Sequence, residues 1–484
     1  MRIYRVIVII AILTVLGFGV FRYRTARKDM PLCRGCNLII LSLDTFSGQH
    51  LPCNGYPRDT APNLCAFAKK NLFFPHAYGN AVYTLPTYVS LFTGLYMSTH
   101  RINIPDADTK LPQDAPFLPS VLSNMGYRTI FVAADTDHMP KDRVYYRGID
   151  TYLDEYRTSW DEALDRFIAS TETGKKTFLF IHNYSIHAPF SDVEKPLLYT
   201  NDWYDWIIVD PKDATRVTPV FIEYLITALT NSIAEGAHDD ALPLYKRYLE
   251  ALKSASGDYG RQRRIALSNP VLLARYQDVY DPLLRIDLGN QRHLDFFKAV
   301  YDQKIHELDA GELSRFITRI SDPKIRNTTL VVITSDHGED FGEHGSIRHT
   351  TLYDSNTRVL LTMSVPGLNG RRIEEPVQTV DIMPTVLEFL GIPVPSGVEG
   401  ISVLPAFSGY GLPPRVLMAE RITERTLRLG RWKLFVDVRG GASVPTQMYD
   451  TYTDPYETNN VLFSHMSEAR RMMKLGDSVI MKKP

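Results

Sequence analysis

Thr329-Leu-Val-Val-Ile-Thr334, running on into Ser335-Asp-His-Gly-Glu339, is the stretch whose reading decides the fold. A continuous apolar run bounded by polar residues is the pattern of a strand buried on both faces. Similar runs recur at Asn37–Leu43, Thr129–Ala134, Thr177–Ile181 and Val359–Ser364. Between several of them, Ser120–Met125, Trp160–Ser170 and Tyr301–Ile320 carry apolar residues at helical spacing. Strands alternating with helices predict an α/β fold, with a mostly parallel sheet flanked by helices. In such a sheet, ligands bind beyond the carboxyl ends of the strands. Asp336 and His337 fall at that point on one strand, and Asp44 at the same point after Asn37–Leu43.

The composition bounds the rest. The chain has 484 residues, 44% hydrophobic and 23% charged, with 54 Lys and Arg against 55 Asp and Glu. These values exclude a disordered, collagenous or multi-span membrane chain. The balanced charge argues against nucleic acid as a partner. Of the four cysteines, Cys33 and Cys36 form a C-x-x-C that suits a local disulfide or nothing, and Cys53 and Cys65 read as packed thiols.

Residues 1–28 carry an apolar run from Val6 to Phe21, flanked by Arg2 and Arg5 on one side and by Arg22, Arg24, Arg27 and Lys28 on the other. A membrane span needs roughly 17–25 residues, and Tyr4 and Tyr23 suit the two interfaces. An uncleaved signal anchor is expected; a cleaved signal peptide is the alternative. Residues 29–405 then form the expected catalytic domain. It is interrupted at about 190–298 by helical patterns (Val220–Ile233, Leu242–Leu252, Val271–Leu284) that read as an insertion, a lid or a plain structural addition. Residues 406–484 predict a small antiparallel sheet, from Thr426–Val438 and Met448–Thr451, closed by a helix over Ser467–Met481.

Asp44, Asp336 and His337 are candidates for one metal site, and mixed oxygen and nitrogen ligation suits Zn²⁺ or Mn²⁺ better than Ca²⁺. In Tyr83-Thr-Leu-Pro-Thr87, Pro86 falls in the first turn of a helix that Gly94 would end. Thr84 then stands at a helix N-terminus, where an anion is favoured. It is either a metal-activated nucleophile or only an N-cap. His182 and His187 follow the strand at Thr177–Ile181 and could stabilise charge or protonate a leaving oxygen. Arg348 and His349 follow the Asp336 loop, and Arg348 could pair with a substrate anion.

Together these pieces resemble the sulfatase branch of the alkaline phosphatase superfamily. The resemblance rests on Leu43-Asp-Thr45 with Gly55-Tyr-Pro-Arg-Asp59 and Ala61-Pro-Asn-Leu64, on Thr84-Leu-Pro-Thr-Tyr-Val-Ser-Leu-Phe-Thr-Gly94, and on His182 to Pro189. It continues through Ser335-Asp-His-Gly-Glu339, Gly342-Glu-His-Gly345, Leu352-Tyr-Asp354, Val380-Asp-Ile-Met-Pro-Thr385 and Arg431-Trp-Lys-Leu434. It implies an alkaline-phosphatase/sulfatase-like sheet with one divalent metal, held by Asp44, Thr84, Asp336 and His337. It also implies Thr84, His187 and His349 as catalytic groups and His182 and Arg348 as substrate contacts.

The departures matter as much. Sulfatases of this pattern convert a Cys or Ser to formylglycine where this chain has Thr84, and they carry an Arg where it has Tyr88. Thr45 replaces a second metal Asp, and Ser47 and Gln49 replace a usual Arg and Asp. The retained set resembles the phosphoethanolamine and phosphoglycerol transferases. Those use a Thr nucleophile and one Zn²⁺ or Mn²⁺, and are membrane-anchored with an extracytoplasmic catalytic domain. They have several spans, where this chain has one candidate. The expectation is a membrane-anchored, metal-dependent hydrolase or phosphotransferase acting on a small-molecule, lipid or glycan ester of phosphate or sulfate. Sulfate-ester hydrolysis and a non-catalytic binding protein on the same fold are the alternatives.

Overall fold

The computed structural model describes residues 32–103, 110–133, 147–187, 197–200, 242–256, 258–268 and 286–480, with a few helical positions between 222 and 233. The anchor expected at 1–28 lies outside them, as does the helical pattern at 271–284. Among the described residues, no helix is long and apolar enough to cross a membrane.

Asn37–Leu43 is the centre of the main sheet. It pairs in parallel with Thr177–Asn183 on one side and with Thr329–Ser335 on the other. Arg128–Ala133 and Thr151–Asp154 extend the parallel set beyond Thr177–Asn183. On the opposite flank Leu361–Ser364 runs antiparallel to Thr329–Ser335, and Leu72–Phe73 and Arg371–Arg372 complete the eight strands seen among the described residues. All seven residues of Asn37–Leu43, Thr177–Asn183 and Thr329–Ser335 are buried, as continuous apolar runs covered on both faces require. On one face Phe92, from the helix Thr84–Thr93, packs on Phe131 and Phe180 of the sheet, with ring centroids 5.5 and 5.0 Å away.

Two elements differ from the sequence expectation. Val359–Ser364 is not one strand. Arg358–Val359 pairs with Ala77–Tyr78 in a separate small sheet, and Leu361–Ser364 pairs with Thr329–Ser335. The switch falls at Leu360, whose N–H donates to the Ser335 hydroxyl at 2.9 Å. Tyr301–Ile320 is not one regular helix either. Gln291–Leu308 and Ser314–Ile320 are joined by a π turn over Asp309–Leu313. The π turn buries Asp309, whose carboxylate accepts the N–H groups of Asn63 and Leu64 at 2.9 and 2.8 Å. Those are first-turn donors of the helix Pro62–Lys70, whose own N-cap, Ala61, has no side chain to satisfy them.

Cysteines 53 and 65 are not packed thiols but a disulfide, with Cα atoms 5.6 Å apart, and Cys33 and Cys36 form a second, local one. Cys53–Cys65 ties the start of the loop after Asp44 to the helix Pro62–Lys70. The same loop is gripped by the buried Asp302, which takes His50 Nδ1, the Tyr56 hydroxyl and the Arg58 guanidinium, each at 2.6 Å.

Leu417–Glu420, Glu424–Leu429, Trp432–Asp437 and Val444–Asp450 form an antiparallel sheet in sequence order, backed by the helix Met466–Ile480. Lys433 and Arg428 of this sheet are buried against Asp354, and Lys433 Nζ also reaches Glu457 at 2.7 Å. Residues 188–301 form a second compact unit. In it Leu242–Ser254 and Tyr259–Leu267 enclose a small core of Tyr245, Tyr248, Leu252 and Ala266, where the Tyr248 hydroxyl donates to the Ala266 carbonyl at 2.6 Å.

Candidate active site

The parallel register places the chemistry. Leu43 stands opposite both Asn183 and Ser335, so the residues that follow emerge together on the carboxyl edge of the sheet. Asp44 keeps one more ladder bond, from its N–H to the Asn183 carbonyl at 2.9 Å. Thr45 then adopts a left-handed backbone, with φ of 56°, and the chain turns away. The turn aims the Thr45 N–H at Asp336 Oδ1, 3.1 Å away, and the His337 N–H takes the same oxygen at 2.7 Å.

Asp336 Oδ1 is thus saturated, while Asp336 Oδ2, Asp44 Oδ1 and His337 Nε2 are buried with no hydrogen-bond partner among the described residues. His337 Nδ1 lies 3.0 Å from the Gly338 carbonyl, a contact that assigns its proton to Nδ1 and leaves a lone pair on Nε2. Candidate donor atoms of Asp44, Asp336 and His337 all fall within 4.8 Å of one another. Buried polar atoms left orphaned are rare. Three of them converging, two carboxylates and an imidazole, fit a divalent cation. Without a cation, burial and the Asp44 charge push the Asp336 carboxyl up. Burial would do the same to Asp44, but the charges of His187, His337 and His182 hold it well below the usual carboxylate range. The loop demands Gly338, because a Cβ there would meet the Ser355 carbonyl oxygen at 2.0 Å.

Thr84 is the first residue of the helix Thr84–Thr93, which ends at Gly94 with φ of 66°. Tyr83 is the N-cap, so the N-cap reading of Thr84 fails. The Thr84 hydroxyl instead lies 3.3 Å from Asp44 Oδ2, at the edge of the three-residue cluster and at the positive end of the helix. The same Asp44 oxygen is 3.2 Å from His182 Nε2. The rings of His337 and His349 are 4.5 Å apart, and those of His349 and His187 are 5.3 Å apart. The two distal histidines therefore rim the cluster. A hydroxyl at a helix N-terminus, a triad that could hold a cation and two imidazoles within reach can carry out attack on an anionic ester and protonation of its leaving oxygen.

The Sulfatase family profile matches residues 36–392, which contain every residue of this cluster. The chain belongs to the sulfatase family. Arylsulfatase K of Homo sapiens is 22% identical over 474 residues, 93% of this chain and 83% of that protein. Arylsulfatase K of Bos taurus is 30% identical over a shorter stretch of 186 residues, 35% of this chain and 34% of that protein. The structure of BT4656 in complex with its substrate D-glucosamine-2-N,6-O-disulfate superposes with a TM-score of 0.61 at 18% identity, over 92% of this chain and 97% of that one. The phosphonate monoester hydrolase of Agrobacterium radiobacter gives 0.60 at 18% identity, over 92% and 96%. At these identities the structural matches establish the sulfatase fold and nothing finer.

Within this sulfatase fold the residues singled out in the sequence divide. Asp44, Thr84, His182, Asp336 and His337 converge, with His187 and His349 beside them. Arg348 lies outside the buried cluster, half-buried, with φ of 71°. His344 turns away and stacks on Tyr353, ring centroids 3.4 Å apart. His182 is buried, with Nε2 3.2 Å from Asp44 Oδ2, so it meets a metal-ligand candidate where a substrate contact was expected. Two acids escaped the sequence reading. Glu339 is buried with Oε2 3.5 Å from His349 Nδ1, and burial pushes its carboxyl well up. Glu155 is buried behind His182. Glu339 closes the Ser335-Asp-His-Gly-Glu339 motif, which marks it in the sequence; no local pattern marks Glu155.

Proposed function

We propose that this sulfatase-family chain is a metal-dependent hydrolase or transferase of phosphate esters that uses Thr84 as its nucleophile. The observation that carries the reading is the 3.3 Å contact between the Thr84 hydroxyl and Asp44, beside three buried donor atoms with no hydrogen-bond partner among the described residues. Asp44, Asp336 and His337 would hold one divalent cation, with Thr84 at its edge. When bound, the cation supplies Lewis-acid charge and lowers the pKa of a nearby hydroxyl. Thr84, having lost its proton to solvent, attacks phosphorus; its new O–P bond forms as the ester P–O bond breaks. His349, oriented by Glu339, gives a proton to the leaving oxygen, with His187 next in line. His349 then takes a proton from water, or from an acceptor alcohol, as that oxygen displaces Thr84 from the phosphothreonine.

The small-molecule, lipid or glycan part of the ester is left to the rim residues, with Arg348 near enough in sequence to meet an anion. The apolar segment 6–21 would anchor the chain in a membrane with residues 29–405 and 406–484 on the extracytoplasmic side. Support for that side comes from the pairing of all four cysteines, which persists in oxidising compartments.

A second reading, sulfate-ester hydrolysis, is favoured by the similarity to Arylsulfatase K along 93% of the chain. One assay separates the two. Nitrophenyl phosphate, bis-nitrophenyl phosphate and nitrophenyl sulfate are offered to the full chain with Zn²⁺, Mn²⁺ or Ca²⁺. Phosphoester turnover that disappears in Thr84→Ala supports the proposal; sulfate turnover alone rejects it.

A further inference from the structure

Behind the metal cluster lies a buried acid that the ester chemistry above does not use. Glu155 opens a short 3-10 helix, Glu155–Arg157, directly after the strand Thr151–Asp154. Its Oε1 accepts the Tyr184 backbone N–H at 2.7 Å, which fixes the direction of the carboxyl group. Its Oε2 is buried, has no hydrogen-bond partner among the described residues, and faces His182 Nδ1 at 3.9 Å. The other nitrogen of that ring, Nε2, is 3.2 Å from Asp44 Oδ2. Tyr88 and Tyr184 meet the imidazole near-perpendicularly, with centroids 4.9 and 4.7 Å away. The ring is therefore held between two carboxyl groups, one on each nitrogen.

This geometry dictates proton placement. Asp44 can only accept, so His182 Nε2 carries a proton toward it. Nδ1 is then left facing Glu155, about 1 Å beyond ordinary hydrogen-bond length. Burial pushes the Glu155 carboxyl up to about 7, so its neutral form is accessible and can donate to Nδ1.

We infer that Glu155 is a positioning residue for the metal centre: through His182 it fixes the Asp44 carboxylate and so sets the affinity of the site for its divalent cation. The inference rests on the reading of Asp44, Asp336 and His337 as metal ligands. Removing a partner bonded directly to a ligand, as His182 is to Asp44, changes metal affinity by about 10–100-fold, and Glu155 acts one step behind that partner. A merely structural Glu155, anchoring the Tyr184 loop, would change thermal stability and leave affinity alone.

The test is calorimetric titration of the metal-stripped full chain with Zn²⁺, and separately with Mn²⁺, alongside melting temperatures in chelator. Glu155→Ala should weaken binding by about tenfold, the low end of that range. Glu155→Gln should stay close to the parent, because its amide can still accept from Tyr184 and donate to Nδ1. In a His182→Gln background, Glu155→Ala should cause no further loss, since the path runs through that ring. Glu155→Met fills the same space and replaces Glu155→Ala should that protein not fold. Parent-like affinity in Glu155→Ala or Glu155→Met overturns the inference, and so does an equal loss in the His182→Gln background. A parent chain that binds neither metal rejects the metal-site reading itself, and is distinguishable because no variant is needed to see it.

Discussion

The Thr84 hydroxyl stands 3.3 Å from Asp44 Oδ2, a buried contact between residues 40 positions apart in sequence. One partner ends the central strand of the parallel sheet and the other opens a helix that packs on that sheet. The pairing brings a hydroxyl, a helix N-terminus and a carboxylate of the candidate metal triad to one point, and the chemistry proposed for this chain follows from it.

If Thr84 is the nucleophile, Thr84→Ala should lower turnover by at least about a thousandfold while leaving the fold intact. Thr84→Ser should retain part of the activity, because the attacking oxygen remains. A mass spectrum of the peptide containing Thr84 should give the mass of unmodified threonine. Near-parent turnover in purified Thr84→Ala excludes the assignment.

Removal of the metal should abolish activity, and Zn²⁺ or Mn²⁺ should restore it better than Ca²⁺. Asp336→Asn keeps an oxygen for the Thr45 and His337 N–H groups but loses the charge at Oδ2. Its metal content after dialysis should fall well below one ion per chain, with little change in the circular dichroism. Full occupancy in that variant would show that Asp336 is not a ligand.

Loss of a general acid is felt most where the leaving group is poor. His349→Ala should therefore slow an alkyl phosphate at least about tenfold more than nitrophenyl phosphate. His187→Ala should slow the two alike. Equal losses in His349→Ala would move the acid role away from His349.

His100 offers a pH test independent of the metal. It is buried; its Nδ1 accepts the Ile102 N–H at 3.0 Å, and Nε2 lies 3.1 Å from the Ser90 hydroxyl. Burial lowers its pKa from the ordinary 6.5 to about 3. Between those values the unfolded chain binds a proton there that the folded chain does not, so stability rises with pH across the window. It should fall as pH drops from about 6.5 towards 3 and flatten below that. Urea titrations at pH 7 and pH 4.5 should show a larger loss for the parent than for His100→Gln. Parallel losses would mean that other groups govern the acid limb.

Much of this was legible because it is local. The three central parallel strands, Asn37–Leu43, Thr177–Asn183 and Thr329–Ser335, are contiguous buried runs, and Asp44 follows Leu43 and Asp336 follows Ser335 directly. Pro86 and Gly94 bracket a helix by their own backbone preferences. What misled was also local. The run Val359–Ser364 looks uniform, yet a hydrogen bond from Leu360 to Ser335, 25 residues away, divides it between two sheets. Cys53 and Cys65 carry no signal for pairing until the Asp44 loop folds back on the helix Pro62–Lys70.

The sequence by itself determined the central parallel strands and several of the helices beside them, and which chemical groups stand at their ends, because periodicity and backbone preference are properties of neighbouring residues. Only the tertiary structure decided that Thr84 meets Asp44 rather than capping its helix, that Asp336 spends one carboxylate oxygen on two N–H groups and leaves the other without a hydrogen-bond partner among the described residues, and that Glu155 stands behind His182. Those outcomes depend on the register of parallel strands joined by long crossovers. Register is fixed by packing across the whole sheet, which no short stretch of the chain encodes.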